Sequence, residues 1–320
     1  MTEAISAGRW LGLKRTSTAS DVFTILAFDQ RGTYRKMLPA STTYEEAVAI
    51  KREVVVALSK TASAVLLDTD YGLESALNMD RRSGLLMSYE KSGYSGDSTY
   101  RHIEFEPDWT VAKIKRMGAT AVKLMAYYHP DTGALAEEIE GVIKQVADDC
   151  HAHDIPLYLE PMSYSLQSDV TKESETFAQT RPEVILKTAQ RLSPLGADVL
   201  KLEFPYDANY NTDHAEWQRA CEAISQASVI PWVLLSAGVD FNTFADQTRI
   251  ACAAGASGFL AGRAIWKEAV TMPAVQRAEF LSGTASTRLQ ELSEIANKNA
   301  RPWTEFFAPM PAPKGWEKTY

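Results

Sequence analysis

The sequence predicts an α/β chain folded as a (β/α)8 TIM barrel with a C-terminal helix and an irregular tail, and three observations carry that prediction. Short apolar segments alternate with longer amphipathic stretches, the pattern of repeated βαβ units. Several amphipathic stretches stop at a glycine before the next apolar segment, at Gly118, Gly196 and Gly255. The segment after the first strand reads Asp29-Gln30-Arg31-Gly32 and lacks the GxGxxG turn that an open doubly wound sheet places there.

Eight strands are expected, at Phe23–Phe28, Ala64–Asp68, Gly84–Ser88, Ala121–Met125, Pro156–Glu160, Asp198–Glu203, Pro231–Ser236 and Ser257–Gly262. Between them the helical period covers Thr43–Ser59, Asp108–Met117, Ala134–His153, Arg181–Leu195, His214–Ala227 and Phe241–Ala254. After the eighth unit come a polar amphipathic helix over Ser286–Asn299 and a Pro- and aromatic-rich tail, Arg301–Tyr320, with neither period. The expected organisation is an N-terminal segment (1–20), a barrel domain (21–283) and a C-terminal helix and tail (284–320).

A chain of 320 residues suits one such barrel with a terminal extension. The formal net charge of -8 argues against nucleic acid or an anionic membrane as partner, while leaving room for a small anion at a local site. Three cysteines, Cys150, Cys221 and Cys252, with no CxxC spacing, fit neither a disulfide framework nor a thiolate metal site. Arg9, Lys14 and Arg15 are not followed by a signal-type apolar run, and no apolar run is long enough to span a bilayer. A cytoplasmic protein is expected, with no cofactor, no metal and a homo-oligomeric state. The histidines, His102, His129, His151, His153 and His214, do not pair at strand ends as a zinc site requires.

In this fold the catalytic groups sit at the carboxyl ends of strands. The ionisable residues there are Asp29, Asp68, Lys123, Glu160, Lys201 and Glu203. Lys201 lies inside the apolar run Val199-Leu200-Lys201-Leu202, where burial favours the neutral amine that carbonyl attack requires. Lys123 lies inside Ala121-Val122-Lys123-Leu124, also on an even-numbered strand. Two lysines facing one interior layer are expected to depress each other's pKa. The alternative is that each pairs with a carboxylate. Glu160, between them in barrel order, suits proton transfer or an ion pair to either lysine. Asp29 suits contact with Lys123 or a substrate hydroxyl, or a capped turn. Glu203, two residues past Lys201, shares its face of the strand.

A second constellation closes the last two strands: Ser236-Ala237-Gly238 and Gly262-Arg263. Small residues expose backbone N–H groups, a helix N-terminus follows, and Arg263 adds a forked donor, which together suit a phosphate. The bland alternative is that the glycines only tighten turns.

These segments resemble the class I tagatose-1,6-bisphosphate aldolase family and, through it, the sulfofructose-phosphate aldolases. The likeness runs from Ala27-Phe28-Asp29-Gln30-Arg31-Gly32 to Gly262-Arg263-Ala264. Leu66-Leu67-Asp68, Tyr71-Gly72-Leu73 and Ser88-Tyr89-Glu90-Lys91-Ser92-Gly93-Tyr94 look like the tagatose branch. The run from Pro231 to Asp240 is common to both branches, and the run from Gly255 to Trp266 is closer to the sulfosugar branch. The resemblance implies Lys201 as the Schiff-base lysine and Glu160 as its acid/base partner, with Asp29 and Lys123 lining the same pocket. It implies Ser236, Gly238, Gly262 and Arg263 at one terminal phosphate or sulfonate, and Gln30 and Arg31 near the other end of the substrate. The tail after Arg301 has no counterpart, and its aromatic residues suit either the pocket mouth or subunit contacts.

The expected activity is cleavage of a ketose 1,6-bisphosphate, such as tagatose 1,6-bisphosphate, to dihydroxyacetone phosphate and glyceraldehyde 3-phosphate. The same chemistry on 6-deoxy-6-sulfofructose 1-phosphate, giving 3-sulfolactaldehyde, is one alternative. A non-catalytic sugar-phosphate-binding barrel is another.

Overall fold

The computed structural model describes residues 2–91, 101–318 and 320. Eight parallel strands close into a barrel in chain order: β1 (Phe23–Phe28), β2 (Ala64–Leu67), β3 (Gly84–Ser88), β4 (Ala121–Tyr127), β5 (Leu157–Met162), β6 (Val199–Leu202), β7 (Trp232–Leu235) and β8 (Gly258–Ala261). All eight lie where the apolar runs of the sequence place them. Closure is made by β8 against β1, with Gly258 opposite Phe23. There a side chain is impossible: a Cβ on Gly258 would lie 1.9 Å from the Phe23 carbonyl oxygen, and φ is +127°.

Every residue of β1, β2, β6, β7 and β8 is buried, because helices cover the outer face and side chains fill the interior. Along β1 the period of two carries Phe23, Ile25, Ala27 and Asp29 to one face. Phe23 packs edge-on against Tyr158, with ring centroids 5.6 Å apart. The interior thus passes from aromatic packing at the N-terminal end to a small residue, Ala27, and then to charge at the C-terminal end.

The N-terminal end is sealed by segments outside the repeating units. Helix Ala7–Thr16 places Arg9 against Asp198 and Thr16 Oγ1 2.7 Å from the Tyr158 hydroxyl. The tail departs from expectation. Phe307–Pro309 is a short strand pairing in parallel with Glu3–Ile5. Trp303 is buried, with its indole N–H donating to Ser17 Oγ at 3.0 Å and its ring 4.6 Å from that of Trp10. Arg301 N–H donates to the Ala256 carbonyl and Trp303 N–H to the Asp21 carbonyl, both just ahead of barrel strands. The tail therefore covers the closed end and not the pocket mouth, because its buried aromatics dock on the N-terminal helix.

The helix expected at Arg181–Leu195 runs from Glu175 to Leu192, followed by a 3-10 turn at Ser193–Leu195. Ser174 caps it through Phe177 N–H, and Pro182 is tolerated inside the helix, where the sequence reading had placed its start. Short helices at Gly32–Met37 and Leu73–Asn78 fill two further connections. No helix among the described residues is long and apolar enough to cross a membrane.

Candidate active site

At the C-terminal end of the barrel lies a cavity of about 830 Å³, within the size range of small-molecule sites. Lys201, Glu160, Gln30, Ser236, Gly238, Gly262 and Arg263 all line it. Lys201 reaches it from β6 and Glu160 from the adjacent β5, and Lys201 Nζ lies 2.7 Å from Glu160 Oε1. The other oxygen, Glu160 Oε2, lies 2.7 Å from Lys123 Nζ. Lys123 sits behind this pair and also meets Asp29 Oδ2 and Glu90 Oε1, each at 2.9 Å.

This network corrects the expectation of mutual depression between the lysines. Burial alone pushes the Lys123 ammonium toward losing its proton, but Asp29, Glu160 and Glu90 overrule it and hold the pKa well above the lysine range. Lys123 is therefore a fixed cation. Burial likewise pushes the Asp29 carboxyl up, yet the charges of Lys123 and Lys201 hold it well below the carboxylate range. One Asp29 oxygen, Oδ1, and the Gln30 side-chain oxygen are buried without a hydrogen-bond partner. Gln30 lines the cavity, so its oxygen is an acceptor open to a hydroxyl, whereas Asp29 is not among the lining residues.

Three carboxylates converge on one point, and the Lys123 ammonium occupies it. Among the described residues no group of three or more His, Cys, Asp or Glu side chains is arranged to hold a metal ion.

On the β7–β8 side, Ser236 Oγ accepts from Gly262 N–H at 3.2 Å, and Arg263 Nη2 donates to the Ala237 carbonyl at 3.2 Å. Ala237 and Gly238 both have left-handed backbone, with φ of +46° and +88°. A Cβ on Gly238 would lie 2.8 Å from Arg263 Cζ, so the glycine lets the guanidinium lie against the turn. A guanidinium, a hydroxyl and an open backbone turn face one corner of the cavity, a donor set suited to an anion.

Arg31 is engaged by protein groups. Its guanidinium donates to Ser88 Oγ at 3.0 Å and to the Glu90 carbonyl at 2.7 Å, and it does not line the cavity. Its forked donor geometry is satisfied by β3 and the turn after it. Asp68 is also remote from the cavity, forming a fully buried pair with Lys51. Of the resemblance's β3 motif, Ser92, Gly93 and Tyr94 lie outside the described residues.

Several polar residues of the site had no assigned role in the sequence. Glu90 lies two residues past Ser88, the end of β3, so the alternation of that strand was an available signal. Its Oε2 accepts from Met125 N–H at 3.0 Å, tying β3 to β4. Glu203 is fully buried and accepts from Ser163 N–H at 2.8 Å and Ser163 Oγ at 2.6 Å. It also pairs with Lys172, and Arg181 lies 3.9 Å away. Lys172 and Arg181 belong to the β5–β6 connection and its helix, so no strand-end rule points to them.

The pattern of the DeoC/LacD family aldolases matches residues 23–268. Tagatose 1,6-diphosphate aldolase 2 of Enterococcus faecalis is 33% identical over 322 residues, spanning 93% of this chain and 96% of its own. Tagatose 1,6-diphosphate aldolase of Lactococcus lactis subsp. lactis is 32% identical, spanning 92% and 96%. Among solved structures, an archaeal fructose 1,6-bisphosphate aldolase superposes with a TM-score of 0.60 at 18% identity, covering 90% of this chain and 98% of its own. At that identity the likeness speaks for the fold.

Proposed function

We propose that this chain, which belongs to the DeoC/LacD family of aldolases, cleaves a ketose 1,6-bisphosphate such as tagatose 1,6-bisphosphate through a Schiff base on Lys201. The products on this reading are dihydroxyacetone phosphate and glyceraldehyde 3-phosphate. The observation that carries it is the contact chain Lys201–Glu160–Lys123, 2.7 Å at each link, at the cavity wall.

Lys201 must be neutral to attack, and Glu160 stands where it can take the ammonium proton. That transfer leaves the total charge of the pair unchanged, so the surrounding network tolerates it. The amine then adds to the C2 carbonyl to give a carbinolamine. Glu160 returns its proton to the carbinolamine hydroxyl, water departs, and an iminium forms. The C4 hydroxyl next gives its proton to the Glu160 carboxylate. The C3–C4 bonding pair flows into the iminium, leaving an enamine, and the aldehyde product leaves. Protonation at C3, addition of water at C2 and expulsion of Lys201 release dihydroxyacetone phosphate.

The remaining residues position these groups. Lys123, held charged, positions Glu160 through its Oε2 and favours the carboxylate form of Asp29. The Gln30 side-chain oxygen accepts a substrate hydroxyl, and Asp29 holds Lys123 behind the cavity wall. Ser236, Gly238, Gly262 and Arg263 take the phosphate on C1, next to the reacting carbonyl. Arg31 supports the site from behind through Glu90.

Borohydride reduction in the presence of dihydroxyacetone phosphate tests the reading. A stable adduct is expected on Lys201, and Lys201→Met should lose cleavage activity by about 10³-fold or more. An unlabelled Lys201, or full activity in that variant, removes the Schiff base from the proposal.

A further inference from the structure

We propose that Lys172 and Arg181 form the subsite for the anion on the far end of the ketose, remote from the group held by Arg263. This rests on the aldolase reading above and adds the residues that select the second charged group.

Lys172, Arg181 and Glu203 line the same cavity as Lys201. The three side chains are largely or wholly withdrawn from solvent, at 24%, 8% and 0% exposure. Two basic side chains flank the fully buried Glu203, with Glu173 beside Lys172 on the same cavity wall. Arg181 Nε is buried and has no hydrogen-bond partner, and the guanidinium lies 3.9 Å from Glu203, at the edge of ion-pair range. A buried donor is costly unless a ligand completes it. An unpartnered guanidinium N–H beside a lysine suits a tetrahedral oxyanion.

The spacing fits one substrate. Glu203 follows Lys201 by two residues, so both side chains lie on one face of the strand, separated by about 7 Å along it. That is comparable with the reach from the C2 carbonyl of an extended six-carbon ketose to an anion on C6. With C2 at Lys201 and the C1 phosphate at Arg263, the C6 group falls toward Lys172 and Arg181. Arg31, which the sequence had placed at this end, is engaged with Ser88 and Glu90. Glu203 is a positioning residue here: it pairs with Lys172 and ties it to Ser163 at the end of β5.

The test compares kcat/KM for ketose 1,6-bisphosphate, 6-deoxy-6-sulfoketose 1-phosphate and ketose 1-phosphate, using the full chain. Lys172→Met and Arg181→Met should each lower the preference for a C6 anion over ketose 1-phosphate by about tenfold or more, mainly through KM. Removing Lys172 alone leaves Glu203 less compensated, so the double variant Lys172→Met with Glu203→Gln provides a folded comparison if the single one fails to fold. A fall with the phosphate, the sulfonate or both supports the subsite and identifies its anion. Preferences held at the wild-type value for both substrates, in folded variants, overturn it, as does a fall confined to Arg31→Met. Borohydride trapping on the wild-type protein separates the two failures. Absent label sinks the aldolase reading, whereas label with unmoved preferences sinks only the subsite.

Discussion

The two ends of the barrel use buried charge in opposite ways. At the closed end, Arg9 donates to Asp198 Oδ1 from Nε at 3.0 Å and Nη2 lies 2.8 Å away, while Leu157 N–H donates to Oδ2 at 2.8 Å. Both oxygens are satisfied, and Trp303 and the tail seal the region. At the open end the charges are as deeply placed, yet Asp29 Oδ1, the Gln30 oxygen and Arg181 Nε have no hydrogen-bond partner. The Arg9–Asp198 network is completed within the protein, whereas the charged network around the cavity keeps spare donors and acceptors. The contrast matches the division of labour in barrels, where loops after the strands carry chemistry and the other rim carries stability.

Substitutions at each end should separate the two roles. The largest combined effect, on stability and on cleavage, is expected for Lys123→Met, which strands Asp29, Glu90 and Glu160 around an empty centre. A loss of about 3–5 kcal/mol is expected in urea denaturation, together with loss of cleavage. An unchanged midpoint would show that the carboxylates do not depend on that cation. Trp303→Ala should cost about 3–5 kcal/mol through the cavity it leaves, while borohydride labelling of Lys201 persists in the folded protein. Loss of label in folded Trp303→Ala would erase the distinction between the ends.

Gly238→Ala acts on one corner of the open end. Its φ of +88° and the 2.8 Å approach to Arg263 Cζ strain any side chain. KM for the phosphorylated ketose should rise about tenfold, and an unaltered KM would detach that turn from phosphate binding. The smallest effect concerns pH. Asp29 has a folded-state pKa held below its unfolded value, so its stabilisation is present above the ordinary carboxylate range and fades as pH falls toward the folded value. The stability advantage of wild type over Asp29→Asn should therefore shrink on acidification in pH-dependent denaturation. A pH-independent difference would contradict the assignment.

Much of the site was legible because strand periodicity and the strand-end rule act locally. Lys201, Glu160, Lys123 and Asp29 each follow from a short apolar run and its parity, and the structure brings these four together. Glu90 carried the same parity signal past β3, without a partner visible in sequence to give it meaning. Lys172 and Arg181 were hidden because they come from a long connection and a helix that begins at Glu175, ahead of the Arg181 start expected from sequence. The contacts of Arg31 with Ser88 and Glu90 were not legible, because sequence position cannot say which acceptors its guanidinium meets.

The sequence by itself determined the order of strands, the barrel they close and which charges their inward faces carry, since each depends on neighbours a few residues away. Only the tertiary structure decided that Lys123 stays charged, that Arg31 turns to β3, and that the tail seals the N-terminal end. Those outcomes depend on the electrostatic field and packing of groups far apart in the chain, such as Asp29, Glu90 and Glu160 around Lys123 or Trp303 against Trp10. Such distances exist only once the barrel has closed.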